Sequence, residues 1–368
     1  MPRSRFVNDL LESLFAGARW RRGARNEREA AESGDSALPL RLAQQLLAER
    51  SQASGIATAQ RLLDAYGALD IAAKGDFLDA LAERFGADPA AIGRALEAYH
   101  AAPSLAALGH VGKAAEPPRQ ELLRRLNQAP NATAALVAMR ADLLRLMRDR
   151  PALSAFDADF VHLLYSWFNR GFLVLRRIDW SSPADLLERI IRYEAVHSIA
   201  TWEELRARLL PADRRCYGFF HPAMGDEPLI FVEVALTDAI PASIQSLLAP
   251  DRPVIAADRA RVATFYSISN CQPGLAGISF GQFLIKQVVE DLKREFAGLE
   301  TFVTLSPVPG FVAWLRSAAA RGDAAAAVSL ADGDPGESWG ADDPRRHARM
   351  ALAARYFLAE RDQRGRLI

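Results

Sequence analysis

Three things are scarce in this sequence, and each scarcity excludes a class of protein. Cysteine occurs twice in 368 residues, at Cys216 and Cys271. Two thiols cannot build a disulfide framework, and no C-x-x-C pair suggests zinc, so a reduced, cytoplasmic setting without a metal site is expected. Net charge is missing too: 45 basic and 45 acidic side chains cancel to zero. A neutral chain has no global field to gather nucleic acid or an anionic membrane. Neither is therefore an expected partner, and an anionic ligand must be held by a local site. Finally, although 50% of the residues are hydrophobic, no run approaches the roughly 18 apolar residues of a membrane span.

What is present reads as a folded chain of two domains. The start is arginine-rich, with Arg3, Arg5, Arg19, Arg21, Arg22, Arg25 and Arg28. That composition is similar to a transit peptide, but Asp9, Glu12, Glu27, Glu29 and Glu32 oppose it, since such peptides avoid acids. A poorly ordered or helical extension is expected over residues 1–37. From 38 to about 150 the chain is rich in Ala, Leu and Arg, with apolar residues at helical spacing, such as Phe77, Leu78, Leu81 and Phe85. Asp88-Pro89 supplies a cap and a first-turn proline, and Pro117-Pro118 and Pro130-Asn131 punctuate further helices. A helical bundle is expected over 38–168. Its histidines, His100, His110 and His162, have no ligand partners at metal-binding spacing.

The texture changes after Asn169. Apolar, β-branched and aromatic runs predict strands at 218–220, 228–236, 261–269 and 301–305, with helices at 240–248 and 281–296. Ser182-Pro183-Ala184-Asp185 reads as a capped helix start, 322–343 as a surface loop rich in small and acidic residues, and 345–358 as a helix. The fold class is α+β: a helical bundle, then a mixed domain over 169–368. The break near Asn169 predicts that the two halves are separable.

The informative stretch begins with the strand ending at Ser269. A polar loop follows, with Gly274, Gly277 and Gly281, and then an amphipathic helix from Gln282. Strand, glycine-punctuated loop and helix amino end are the ingredients of an anion cradle, because glycines admit close backbone approach and the helix dipole adds partial positive charge. A structural turn accounts for the same glycines. The spacing fits neither the Walker nor the Rossmann pattern.

Ala276-Gly277-Ile278-Ser279-Phe280-Gly281 is similar to the pyrophosphate loop of the GNAT acyltransferase fold, Q/R-x-x-G-x-G/A, although only the closing glycines match. A fuller resemblance is to the malonyl-CoA decarboxylase family. It is carried by Phe265-Tyr266-Ser267-Ile268-Ser269, Gly274-Leu275, Gly281-Gln282-Phe283-Leu284-Ile285-Lys286 and Leu305-Ser306-Pro307-Val308-Pro309-Gly310-Phe311. Arg176-Arg177-Ile178, Glu194-Ala195-Val196-His197, His221-Pro222, Gly225-Asp226-Glu227-Pro228 and Val234-Ala235-Leu236-Thr237 join them. The resemblance covers about 165–320 through motifs and the helical half through architecture.

It implies a helical domain used in homo-oligomer contacts, followed by a GNAT-like catalytic domain that converts malonyl-CoA to acetyl-CoA and carbon dioxide in fatty-acid and malonate metabolism. No cofactor is implied, the CoA moiety belonging to the substrate. The loop Ala276, Gly277, Ile278, Ser279, Phe280, Gly281 and Gln282 would hold the CoA, and Ser306 maps onto the family's catalytic serine. Without the resemblance, Ser306 reads first as the cap of a helix starting near Gly310. The family also places a histidine near its carboxyl end; here the sequence runs through Arg361 to Ile368 without an equivalent. A shortened member, or one with another proton donor, is expected, with His197 and His221 as nearby histidines of more structural character. A CoA-thioester binder and a GNAT-type acyltransferase are the alternatives.

Overall fold

The computed structural model describes residues 37–278, 281–308, 310–332 and 342–359. The expected extension at 1–36 therefore lies outside the described residues. Helices come first: α1 (Ala37–Ala48), α2 (Gln52–Ala68), α3 (Ile71–Arg84), α4 (Pro89–Ala101), α5 (Leu105–Ala115), α6 (Pro118–Leu126), α7 (Ala132–Leu146) and α8 (Leu153–Trp167). Short polar side chains start several of them. Asp70, Asp88 and Ser104 accept from the backbone N–H of Ala73, Ala90 and Ala107 at 2.8, 2.9 and 3.1 Å, satisfying donors that the first turn leaves free. Leu62, Leu78, Leu81, Leu122, Leu136, Phe156 and Phe160 fill the interior between these helices.

A five-stranded sheet follows, β1 (Val174–Ile178), β2 (Arg214–Phe220), β3 (Pro228–Thr237), β4 (Val262–Asn270) and β5 (Thr301–Thr304), in sequence order. Neighbours from β1 to β4 are antiparallel, whereas β4 and β5 are parallel. A parallel pair needs a crossover, and α12 (Gly281–Glu295) supplies it. Leu284, Val288 and Leu292 of α12 are buried at four-residue spacing against one sheet face. The opposite face is covered by α9 (Ala184–Tyr193) and α10 (Trp202–Leu209), whose Leu186, Ile190 and Leu205 cluster with Cys216, Phe220 and Phe231. A short helix, α11 (Ile244–Leu248), lies between β3 and β4, and α13 (Phe311–Ala320), α14 (Ala324–Ala331) and α15 (Pro344–Ala359) complete the chain. Helical region and mixed sheet together make the expected α+β fold.

Several expectations change. Strand β2 starts at Arg214 rather than 218, because two arginines enter the core with partners. Arg214 donates to the Leu247 carbonyl at 2.5 Å, and Arg215 to Glu295 at 2.6 Å. Ser182 does not cap α9; its hydroxyl accepts from the Asp179 N–H at 3.1 Å, and Pro183 stands at the cap. Part of the expected loop at 322–343 is helix α14. Asp323 accepts from the Ala326 N–H at 3.0 Å, and an alanine-rich run propagates the helix it starts. Nor does the packing favour separable halves. One hydrophobic cluster contains Leu38, Leu122 and Phe160 of the helical region and Val232, Phe265 and Leu292 around the sheet.

Candidate active site

The sheet opens between its two parallel strands. The β4–β5 ladder runs from Val262/Thr301 to Phe265/Thr304, and the Leu305 N–H adds a bond to the Phe265 carbonyl at 2.9 Å. Beyond that point β4 continues to Asn270 with β3 as its partner. Among the described residues no strand pairs with the other edge of 266–270. The divergence coincides with a bulge: Glu233 faces Ser267 while Val234 faces Phe265, leaving Tyr266 as the extra residue. A bulge bends its strand and unpairs local backbone groups. Because β4 and β5 are parallel, both chain exits leave the same end of the sheet. The glycine loop departs from one and Ser306 from the other.

The loop after β4 shapes a cleft of about 440 Å³, lined by Leu229, Ile230, Ile268, Asn270, Gln272, Pro273, Leu275, Ala276, Gly277 and Ile278. Of the candidate residues, Ala276, Gly277 and Ile278 line it, and Gly281 and Gln282 are the first residues of α12. Ser279 and Phe280 lie outside the described residues. Gly277 has φ +82°, a left-handed conformation that other L-residues adopt with strain, and a side chain there would meet open space. Gly274 differs from its expected role. A Cβ on it would lie 1.8 Å from the Val137 carbonyl oxygen of α7, so this glycine lets the loop press against the helical region.

Ser306 is exposed and makes no hydrogen bond among the described residues. It does not cap α13, whose cap position is Gly310 at φ +77°. His221 is structural: its Nδ1 accepts from the Ala223 N–H at 3.1 Å, and its Nε2 faces the Trp167 carbonyl at 3.1 Å. Burial lowers its pKa. His197 is half-buried, its Nε2 without a partner and its ring 6.4 Å from that of Tyr266; burial lowers its pKa as well. His100, His110, His162 and His347 are exposed. Among the described residues no group of three or more His, Cys, Asp or Glu is placed to hold a metal, and no helix is long and apolar enough to cross a membrane.

Two features near the opening escape sequence reasoning. The first is a buried polar array on β3 and β4. Glu194 accepts from the hydroxyls of Ser267 and Ser269 at 2.6 and 3.2 Å and from the N–H groups of Val196 and His197, both at 2.8 Å. Beside it Glu233 is fully buried and paired with Arg208 at 3.1 Å. Burial pushes the Glu233 carboxyl up to about 7, even though Arg208 draws it down. The second is Arg140 of α7, which reaches the glycine loop. Its signal was available: a lone arginine on a buried helical stripe that includes Leu136, Val137 and Leu143.

Comparisons with known proteins identify the chain's relatives. Residues 171–368 match the malonyl-CoA decarboxylase C-terminal domain, and residues 85–168 the malonyl-CoA decarboxylase N-terminal domain. A mitochondrial malonyl-CoA decarboxylase of Mus musculus is 36% identical over 265 residues, covering 68% of this chain and 54% of its own length. One from Anser anser anser is 38% identical over 205 residues, covering 54% of this chain and 40% of its own. The chain spans about half the length of the curated relatives it matches. Among crystal structures, malonyl-CoA decarboxylase from Rhodopseudomonas palustris superposes with TM-score 0.84 at 54% identity, covering 91% of this chain and 83% of that one. That from Agrobacterium vitis gives 0.81 at 51% identity, covering 89% and 82%. With both domain types matched in order around the opened sheet, the chain belongs to the malonyl-CoA decarboxylase family.

Proposed function

We propose that the protein decarboxylates malonyl-CoA to acetyl-CoA and carbon dioxide at the opening between β4 and β5. The observation that carries this reading is the shared exit of the two parallel strands, which brings the glycine loop and an exposed serine to one end of the sheet. The pyrophosphate of CoA would sit on the N–H of Gly277 and the amino end of α12, where unpaired amides and the helix dipole favour negative charge. The pantetheine arm would lie along the open edge of β4, and the malonyl thioester would reach Ser306.

Decarboxylation breaks the bond between the methylene carbon and the carboxylate. Its electron pair moves into the thioester as an enolate, carbon dioxide departs, and a proton adds to the carbon. The thioester is its own electron sink, so the reading calls for no prosthetic group. Charge grows on the thioester oxygen, and hydrogen-bond donors aimed there lower the barrier. The Ser306 hydroxyl is the candidate donor.

The test is carbon dioxide release from malonyl-CoA by the wild-type chain and by Ser306→Ala. Loss of an oxyanion donor typically costs about 10²–10³ in kcat, so turnover is expected to fall by at least about 100-fold while KM stays within a few-fold. A wild-type chain that binds CoA but releases no carbon dioxide would leave a CoA-thioester binder in its place. Homo-oligomerisation through the helical region is part of the proposal. It is supported by α4 and α5, which bury no residue of their own and expose Leu96, Leu105 and Leu108; sedimentation with Leu105→Glu and Leu108→Glu tests it. A cytoplasmic location belongs to it as well, supported by two free, buried thiols, Cys216 and Cys271.

A further inference from the structure

The glycine loop is fastened from behind by the helical region. Arg140 is 2% exposed, and its Nη1 donates to the carbonyls of Gly274 and Ala276 at 2.7 and 2.9 Å. Its Nε is paired with Asp157 at 2.7 Å, which fixes the guanidinium plane. Tyr165 adds a hydroxyl bond to the Gly277 carbonyl at 3.2 Å, and Gly274 lies against the Val137 backbone.

The peptide plane gives these contacts a direction. In a trans peptide the C=O and the following N–H point opposite ways. With the Ala276 carbonyl held by Arg140, the N–H of Gly277 points away from the helical region. The neighbouring amides are already spent: Leu275, Ala276 and Ile278 donate to the carbonyls of Gln272, Pro273 and Leu275 at 2.9, 3.0 and 3.0 Å. Among the described residues the Gly277 N–H has no acceptor, and Gly277 lines the cleft.

We propose that Arg140 is a positioning residue for CoA: by holding two loop carbonyls it presents the Gly277 N–H to the pyrophosphate, making the helical region a working part of the binding site. This rests on the CoA reading of the loop. A donor aimed before the ligand arrives needs no ordering on binding, and affinity gains accordingly.

A matched control exists in the same region. Arg119 is also buried and paired with an aspartate, Asp159, and donates to the carbonyls of Ala82 and Ala155 at 2.9 and 3.5 Å, but those contacts stay among the helices. Calorimetry with CoA, at a temperature where all chains are folded, compares wild type, Arg140→Met and Arg119→Met. Both variants are expected to melt earlier. Arg140→Met should weaken CoA binding about tenfold, and Arg119→Met less than about twofold. If Arg140→Met does not fold, Arg140→Lys carries the same expectation at about threefold, since an ammonium lacks the fork that grips two carbonyls. Equal losses in the Arg140 and Arg119 variants, or no loss at Arg140 while wild type binds, would overturn the positioning role and leave the CoA reading intact. No CoA binding by wild type would overturn both.

Discussion

The two segments that leave the parallel strands are held in opposite ways. After β4, the chain is pressed onto α7 at Gly274 and gripped at Gly274 and Ala276 by Arg140. After β5, Ser306 and Pro307 are exposed, and the serine hydroxyl touches no hydrogen-bond partner among the described residues. The first segment is fastened from outside its own sheet, whereas the second is held at Leu305, which packs beside Leu247 and Tyr266, and is exposed at Ser306 and Pro307. A ligand's charged handle needs donors fixed in advance, whereas a group meant to meet the reacting end must be left unoccupied. Stability and chemistry should therefore separate by segment.

The largest effect is expected where the loop meets the helix. Gly274→Val would drive a side chain into the Val137 carbonyl, and with backbone on both sides it should cost at least about 4 kcal/mol in denaturant unfolding. The scaffold joining the segments comes next. Arg208→Met strands Glu233, which is fully buried, and should cost about 3 kcal/mol near neutral pH. Glu233 also sets a pH signature. Its carboxyl is raised from 4.5 to about 7 in the fold. Between those values the native state keeps a proton that the unfolded chain has released, so stability falls as pH rises through the window and levels off above it. The fall should approach about 3 kcal/mol, and Glu233→Gln should flatten the curve of unfolding midpoint against pH. Smaller still, Gly277→Ala has space for its methyl but must adopt φ +82°, a strain of about 1 kcal/mol measurable by thermal melting. At the far end, Ser306→Ala should stay within about 0.5 kcal/mol of wild type. A Ser306→Ala chain that melts markedly lower would erase the contrast between the segments.

How much of this the sequence announces depends on whether a residue's partners are local. Strands β3 and β4 are legible because their apolar runs are continuous, and α12 because Leu284, Val288 and Leu292 recur at helical spacing. The cap at Asp88 is legible because its acceptor role involves a donor two residues away. Helix α14 is obscured by its small residues and acidic neighbours, which read as loop although alanine propagates a helix well. Arg140 and Glu233 are less legible for another reason: the buried stripe of α7 singles out Arg140, but it names no partner. A charged side chain in a core is understood through its partner, and Glu233 meets Arg208 across 25 positions while Arg140 meets the loop across 134. The glycine loop is recognisable as a motif, but Gly274 and Gly277 look alike in sequence and differ only once the neighbouring helix and the backbone angle are known.

The span of the Arg140 contact has a consequence for the order of assembly. Helix α7 can form as soon as its own residues are made, since its bonds are local, whereas contacts so far apart in sequence close late. During refolding the helical signal should recover first, and the Gly277 amide should acquire its final aim only when the two regions dock. On the proposed role of the loop, competence to bind CoA is then among the last properties to form, and CoA would report completed assembly rather than helix formation.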